Sequence, residues 1–147
     1  MKITIYSSSK SRTEFIKLST EFFRSYLNLE NSKYELHIFS KKGLRTQDGI
    51  LGSVSKIDNM LGMFLDNQLS RMRLIQVLAH EMVHVKQFAR GQYHSKKTRT
   101  GNTLQFWRGK NVKRVYMNRP WEKEAYGREM ELIEAFFNHL SKTRKNH

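Results

Sequence analysis

The chain has 147 residues, with 27 Lys and Arg against 13 Asp and Glu, giving a net charge of +14. It contains no cysteine, so disulfides and thiolate metal sites are excluded. A hydrophobic fraction of 38% with nine Phe, six Tyr and two Trp is enough for one ordinary core. No apolar run is long enough to cross a bilayer, and the polar opening Met1 to Tyr6 does not read as a signal peptide. A soluble, cytoplasmic protein is the expectation.

In chain order, Lys2 to Tyr6 alternates like a short strand. Ser11 with Glu14 forms a capping-box pattern, after which Phe15, Leu18, Phe22, Tyr26 and Leu29 recur at helical spacing and predict a core-facing stripe. Tyr34 to Phe39 reads as a strand followed by a turn at Gly43. Gly52 to Asp58 and Leu61 to Asp66 read as two more strands divided near Asn59. Ser70 is placed to cap a helix over residues 71–90 that Gly91 ends. Residues 91–120 read as loop or a loose hairpin, with turns at Gly101-Asn102 and Arg108-Gly109. Pro120 then opens a helix from about Trp121 to Ser141, leaving residues 141–147 as a frayed basic tail. The architecture predicted is α+β: a single domain spanning residues 1–147, with a small mixed sheet beside three helices.

His80-Glu81-Met82-Val83-His84 reads HExxH inside the second helix. Residues four apart share a helical face, so both imidazoles can reach one metal ion, which points to Zn2+. Glu81 stands beside them, where a carboxylate can take a proton from an attacking water. Leu74, Val77, Leu78, Met82, Val85 and Phe88 give this helix a broad apolar surface. A helix so buried needs something to satisfy two His and a Glu.

A catalytic zinc site takes three protein ligands, and no third His follows at the required spacing. On the final helix, at about 100° per residue, Glu122 falls within a stripe of Ala125, Tyr126, Ile133, Phe136, Phe137 and Leu140. Glu124 falls on the opposite face with Lys123, Arg128, Glu131 and Ala135. Glu122 is therefore the expected third ligand, with Glu124 and then His94 as alternatives. Glu129, two turns further along the same stripe, is placed to orient a ligand.

HExxH followed by a glutamate on a later helix resembles the gluzincin arrangement of thermolysin-like and Ste24-like peptidases. His80 through Gln87 (HExxHxxQ) and Pro120-Trp121-Glu122-Lys123-Glu124-Ala125 resemble small metallopeptidases, many of them encoded by bacteriophages. The likeness covers roughly residues 70–135 and implies a minimal zincin-like domain. Glu122 aligns with the metal ligand of a Glu-x-x-Ala pattern and Ala125 with its alanine. Those families often carry Asp or Asn next, where this chain has Tyr126, and Glu129 is a possible substitute for that carboxylate. In gluzincin-like enzymes the segment between the ligand helices helps to shape the cleft. His94, Trp107 and Tyr116 are candidates to line it or to stabilise an oxyanion, and equally to do no more than cover the core.

The charge is uneven. Residues 71–147 carry seventeen basic and six acidic groups, and residues 90–119 carry nine basic and none acidic. Such a segment favours DNA, RNA or an acidic protein, and Tyr93, Phe106, Trp107 and Tyr116 are interleaved where they can stack on bases. Two expectations stand. One is a zinc metalloendopeptidase acting on a protein or peptide substrate, such as a nucleic-acid-associated or acidic protein, in the cytoplasm (the host's, if phage-encoded). The other is a nucleic-acid-binding protein on a zincin scaffold with a structural or vestigial metal.

Overall fold

The computed structural model describes residues 1–43, 51–112 and 119–145. Tyr116 and most of the expected strand from Val112 to Met117 lie outside the described residues. The fold is α+β. β1 (Lys2–Tyr6), α1 (Lys10–Tyr26) and β2 (Glu35–Lys41) form a βαβ unit with its strands parallel. β3 (Gly52–Ile57) and β4 (Met60–Asp66) form a hairpin turned at Asp58, whose φ is 55°. β4 adds in parallel to β2, giving a mixed sheet in the order β1-β2-β4-β3 with β3 at an edge. α2 (Arg71–Ala89) follows, then a three-stranded antiparallel meander of β5 (Tyr93–Lys97), β6 (Thr103–Trp107) and β7 (Lys110–Val112), and finally α3 (Pro120–Lys145).

One face of the four-stranded sheet supplies fully buried Leu36, Ile38, Leu61, Met63 and Leu65. Against these pack Ile16 and Phe23 of α1, Leu74, Leu78, Met82 and Val85 of α2, and Ala125, Leu132 and Phe136 of α3. At about 25 cal/mol per Å² of apolar area, such side chains each contribute on the order of 2 kcal/mol. The opposite sheet face carries a ladder of stacked rings in register, Tyr6 on Phe39 at 4.6 Å and Phe39 on Phe64 at 5.1 Å. Among the described residues no helix is long and apolar enough to cross a membrane.

Several expectations are corrected. The cap of α1 is Ser9, whose hydroxyl accepts from Arg12 N, while Ser11 accepts instead from Arg71 of α2. The buried face of α1 is Ile16, Ser19, Thr20 and Phe23, and Leu18 and Tyr26 are exposed. A hydrophobic pattern cannot find this face, because Ser19 and Thr20 enter the core by bonding their hydroxyls back to the carbonyls of Phe15 and Ile16.

The stripe of α3 is also displaced: Leu132 is buried, whereas Tyr126 and Phe137 are exposed. Nothing in Ser141-Lys142-Thr143-Arg144-Lys145 breaks a helix, so α3 continues through the segment expected to fray, with Lys142 and Arg144 suiting its negative C-terminal end. The expected loose hairpin is an ordered meander. Arg108 and Gly109 both take positive φ, 50° and 83°, which gives the tight two-residue turn that matches strand twist.

Candidate metal centre

α2 carries the site, and its position follows from its caps. Ser70 accepts from Arg73 N at the start, and Gly91 turns the chain at φ 66° just past the end. Twelve of its nineteen residues are buried, including His80, Glu81, Lys86 and Gln87. α3 crosses beside it and brings Glu122 from its first turn. One ligand atom from each of His80, His84 and Glu122 can be chosen so that all lie within 4.8 Å of one another. His80 Nε2 lies 3.2 Å from His84 Nε2 and 3.2 Å from Glu122 Oε2, and His84 Nε2 lies 2.6 Å from Glu122 Oε1.

Hydrogen bonds on the far side of each ring set which nitrogen faces the cluster. Gln87 Nε2 donates to the Trp121 carbonyl at 2.8 Å and to Glu124 Oε1 at 2.9 Å. Both partners are acceptors, so the Gln87 amide oxygen is the atom turned to His84 Nδ1, at 2.8 Å. His84 must therefore carry hydrogen on Nδ1. His80 Nδ1 lies 2.8 Å from Glu129 Oε1 and must do the same. Each Nε2 then depends on what stands between the rings and Glu122: left neutral, it points a lone pair at a carboxylate and at its counterpart.

Such a cluster of acceptors requires a proton or a cation between its members. With protons, burial is the largest influence and opposes charge on both rings, but hydrogen bonds to Glu122 and to Glu129 or Gln87, together with the nearby Glu81 charge, outweigh it and both histidine pKa values are raised. Hydrogen bonds from His80 and then His84 hold the Glu122 carboxyl far below its ordinary range. A divalent cation satisfies the same three groups. Tetrahedral zinc with bonds of about 2.0 Å separates its ligand atoms by about 3.3 Å, and two of the three edges are 3.2 Å. The third is a direct imidazole–carboxylate contact. The donor set thus fits a cation.

Both histidines are held by parallel relays that end on cations. One runs His80, Glu129, Gln76 and Arg73, with Gln76 Nε2 donating to Glu129 at 3.3 Å and Arg73 donating to Gln76. The other runs His84, Gln87, Glu124 and Lys86, with Lys86 Nζ donating to Glu124 at 2.7 Å. Glu124, expected on the solvent face of α3, is half-buried and turned to α2, because buried Lys86 and Gln87 both need an acceptor there. It lies outside the ligand cluster. His94 is exposed on β5 beside Phe106 and takes no part. Tyr126 stands edge-on to His80, with centroids 4.4 Å apart.

Glu81 is buried, with one carboxylate oxygen lacking any hydrogen-bond partner. Burial raises its pKa. Gly52, which starts edge strand β3, lies directly over it. A Cβ there would stand 2.6 Å from Val77 Cγ1 and 3.1 Å from Glu81 Cγ. Glycine is thus what lets the edge strand reach this part of α2. A cleft of about 730 Å³ opens here, lined by the cluster, Glu81, β3 and further by Phe88, Tyr93, Arg119 and Trp121.

Trp107 lies against Trp121 instead of lining the cleft, and Tyr93, its register partner, takes that place. Sequence reasoning missed Gln76, Lys86 and Glu124 as parts of the relays. The available signal was spacing, since Gln76 and Gln87 stand one turn from His80 and His84. Comparison with family models, with curated proteins and with solved structures finds no match to this chain.

The relay gives a prediction that does not depend on metal. Gln87→Leu conserves bulk but strips His84 Nδ1 and the Trp121 carbonyl of their partner. In chelator, urea unfolding should show a loss of about 1–3 kcal/mol; an unchanged midpoint would contradict the network.

Proposed function

We propose that this protein is a zinc-dependent peptidase that hydrolyses peptide bonds in the cleft over Glu81. The observation that carries this reading is a buried carboxylate with one unpartnered oxygen, adjoining a cluster of two imidazoles and a carboxylate whose geometry can hold a cation. A structural metal site needs no such neighbour. In this reading His80, His84 and Glu122 hold the ion, while Glu129 and Gln87 fix the ring tautomers. Bound there, zinc supplies Lewis acidity, polarising a carbonyl and acidifying water.

The remaining chemistry belongs to the chain. Glu81 accepts the proton of the attacking water, and its burial-raised pKa suits it to hand that proton to the leaving amine. β3 is the sheet's edge, and Gly52, Ser53 and Val54 line the cleft, so an extended peptide can pair with the strand and lie across Glu81. Tyr93 and Trp121 supply an apolar wall for its side chains.

Glu81→Gln removes the base while keeping size and burial. Cleavage of fluorescein-labelled casein by zinc-loaded protein should fall by about 10²-fold or more, with bound zinc unchanged. Retained turnover would remove Glu81 from this role.

A second expectation concerns pH. Without metal, the raised histidine pKa values mean that pairing with Glu122 stabilises the fold fully below the unfolded imidazole value of 6.5. That contribution fades as pH rises through the higher folded values. Zinc displaces those protons, so its stabilisation grows as they leave. The zinc-induced rise in Tm should therefore increase between about pH 6 and about pH 8. A rise independent of pH would show that the histidines are not the groups displaced.

A further inference from the structure

The meander β5–β7 stands apart from the cleft chemistry in composition. Residues 90–119 hold nine Lys and Arg and no Asp or Glu. Among the described residues, Lys96, Lys97, Arg99, Arg108 and Lys110 are all exposed, and none makes an ion pair. Like charges held this close repel, and nothing in the segment itself neutralises them. The meander is nonetheless firmly placed. Arg108 N donates to the Gln92 carbonyl at 2.8 Å, and Tyr93 packs on Phe88 of α2 and Trp121 of α3. The cations are therefore presented on an anchored sheet.

The alternation of the strands sorts its two faces. Tyr93, Gln105 and Trp107 share the face that meets α2 and α3, whereas His94, Lys96, Leu104 and Phe106 share the other. On that outer face a shallow groove of about 340 Å³ is lined by Gly91, Gln92, His94, Lys96, Phe106 and Gly109. Gly91 and Gly109 both lie at the Tyr93–Trp107 end of the meander, and no atom beyond their chain neighbours lies within 4 Å of where a Cβ would stand, so the groove is open at that end. Phe106 and His94, 5.8 Å apart and tilted by 34°, offer π surface beside Lys96 in the same groove. An acidic polypeptide would use the cations alone. A single-stranded nucleic acid uses both features, with phosphates on Lys and Arg and a base on the ring.

We infer that the outer face of β5–β7 binds single-stranded nucleic acid, with Lys96 and Arg99 contacting phosphates and Phe106 stacking on a base. This goes beyond the peptidase reading and does not rest on it, since protein carrying Glu81→Gln should bind equally well.

The test is fluorescence anisotropy of a labelled oligothymidylate of about 20 nucleotides, long enough to cover one such site, titrated with the full chain at several salt concentrations. The double variant Lys96→Glu/Arg99→Glu changes two exposed positions. It should weaken binding at least tenfold and reduce the slope of log affinity against log salt by about 1.4, the value for two lost phosphate contacts. The control Lys10→Glu/Lys17→Glu makes the same charge change on the exposed side of α1 and should stay within about twofold of the parent. Phe106→Ala, with folding checked by circular dichroism, should weaken binding at an unchanged slope. Equal losses in the two double variants would overturn the inference, leaving net charge as the cause. So would displacement of the oligonucleotide by polyglutamate of matched charge, which would make the surface a site for acidic polypeptides.

Discussion

Two imidazoles and a carboxylate are held face to face by α2 and α3, and the arrangement is stable only with positive charge between them. The charge is a proton or a metal ion, and the rest of the domain is arranged around that demand. α2 presents both rings from one face while burying most of its length, and α3 brings Glu122 to them from its first turn. Each ring is fixed from behind by a relay that ends on a cation, Arg73 or Lys86. The relays matter because they decide the tautomer: both Nδ1 atoms must carry hydrogen, so both Nε2 atoms face the cluster. Half-satisfied buried polar networks are costly, which is why the relays are closed at both ends.

The same geometry shapes the cleft. Among the described residues β3 is the edge strand of the main sheet beside α2, and Gly52 brings it close over Glu81. A side chain at residue 52 would push strand and helix apart, opening the space between the edge proposed to pair with a peptide and the carboxylate proposed as base. Tyr93 then ties the meander to Phe88 and Trp121, closing the opposite wall. One anchoring residue thus serves both the cleft and the placement of the basic sheet.

Much of this was legible in the sequence, and the failures have physical causes. HExxH at helical spacing placed His80, Glu81 and His84 on α2, and helical phase singled out Glu122 and Glu129, which the fold does bring to the histidines. The α+β class and the main strands were also readable from period-2 runs and turn residues. The faces of α1 and α3 were misread because hydrophobicity alone located them. Ser19 and Thr20 are buried through bonds to their own helix, and Tyr126 and Phe137 are apolar residues left at the surface. Glu124 was assigned to solvent because its partners, Lys86 and Gln87, lie on another helix and leave no trace in local periodicity. The meander reads as loose because its strands are short and β5 and β7 are polar and basic, while its order comes from the Arg108-Gly109 turn and the anchoring of Tyr93.

The central claim is that the His80–His84–Glu122 cluster is a zinc site completed from two helices. Its most direct test is the zinc content per chain of purified protein, measured by inductively coupled plasma mass spectrometry beside Glu122→Ala. The account requires about one zinc per chain in the parent and a clear loss or weakening in the variant, with both proteins folded. A folded parent that carries no zinc and refuses added metal would contradict it, and so would a variant that binds zinc as tightly as the parent.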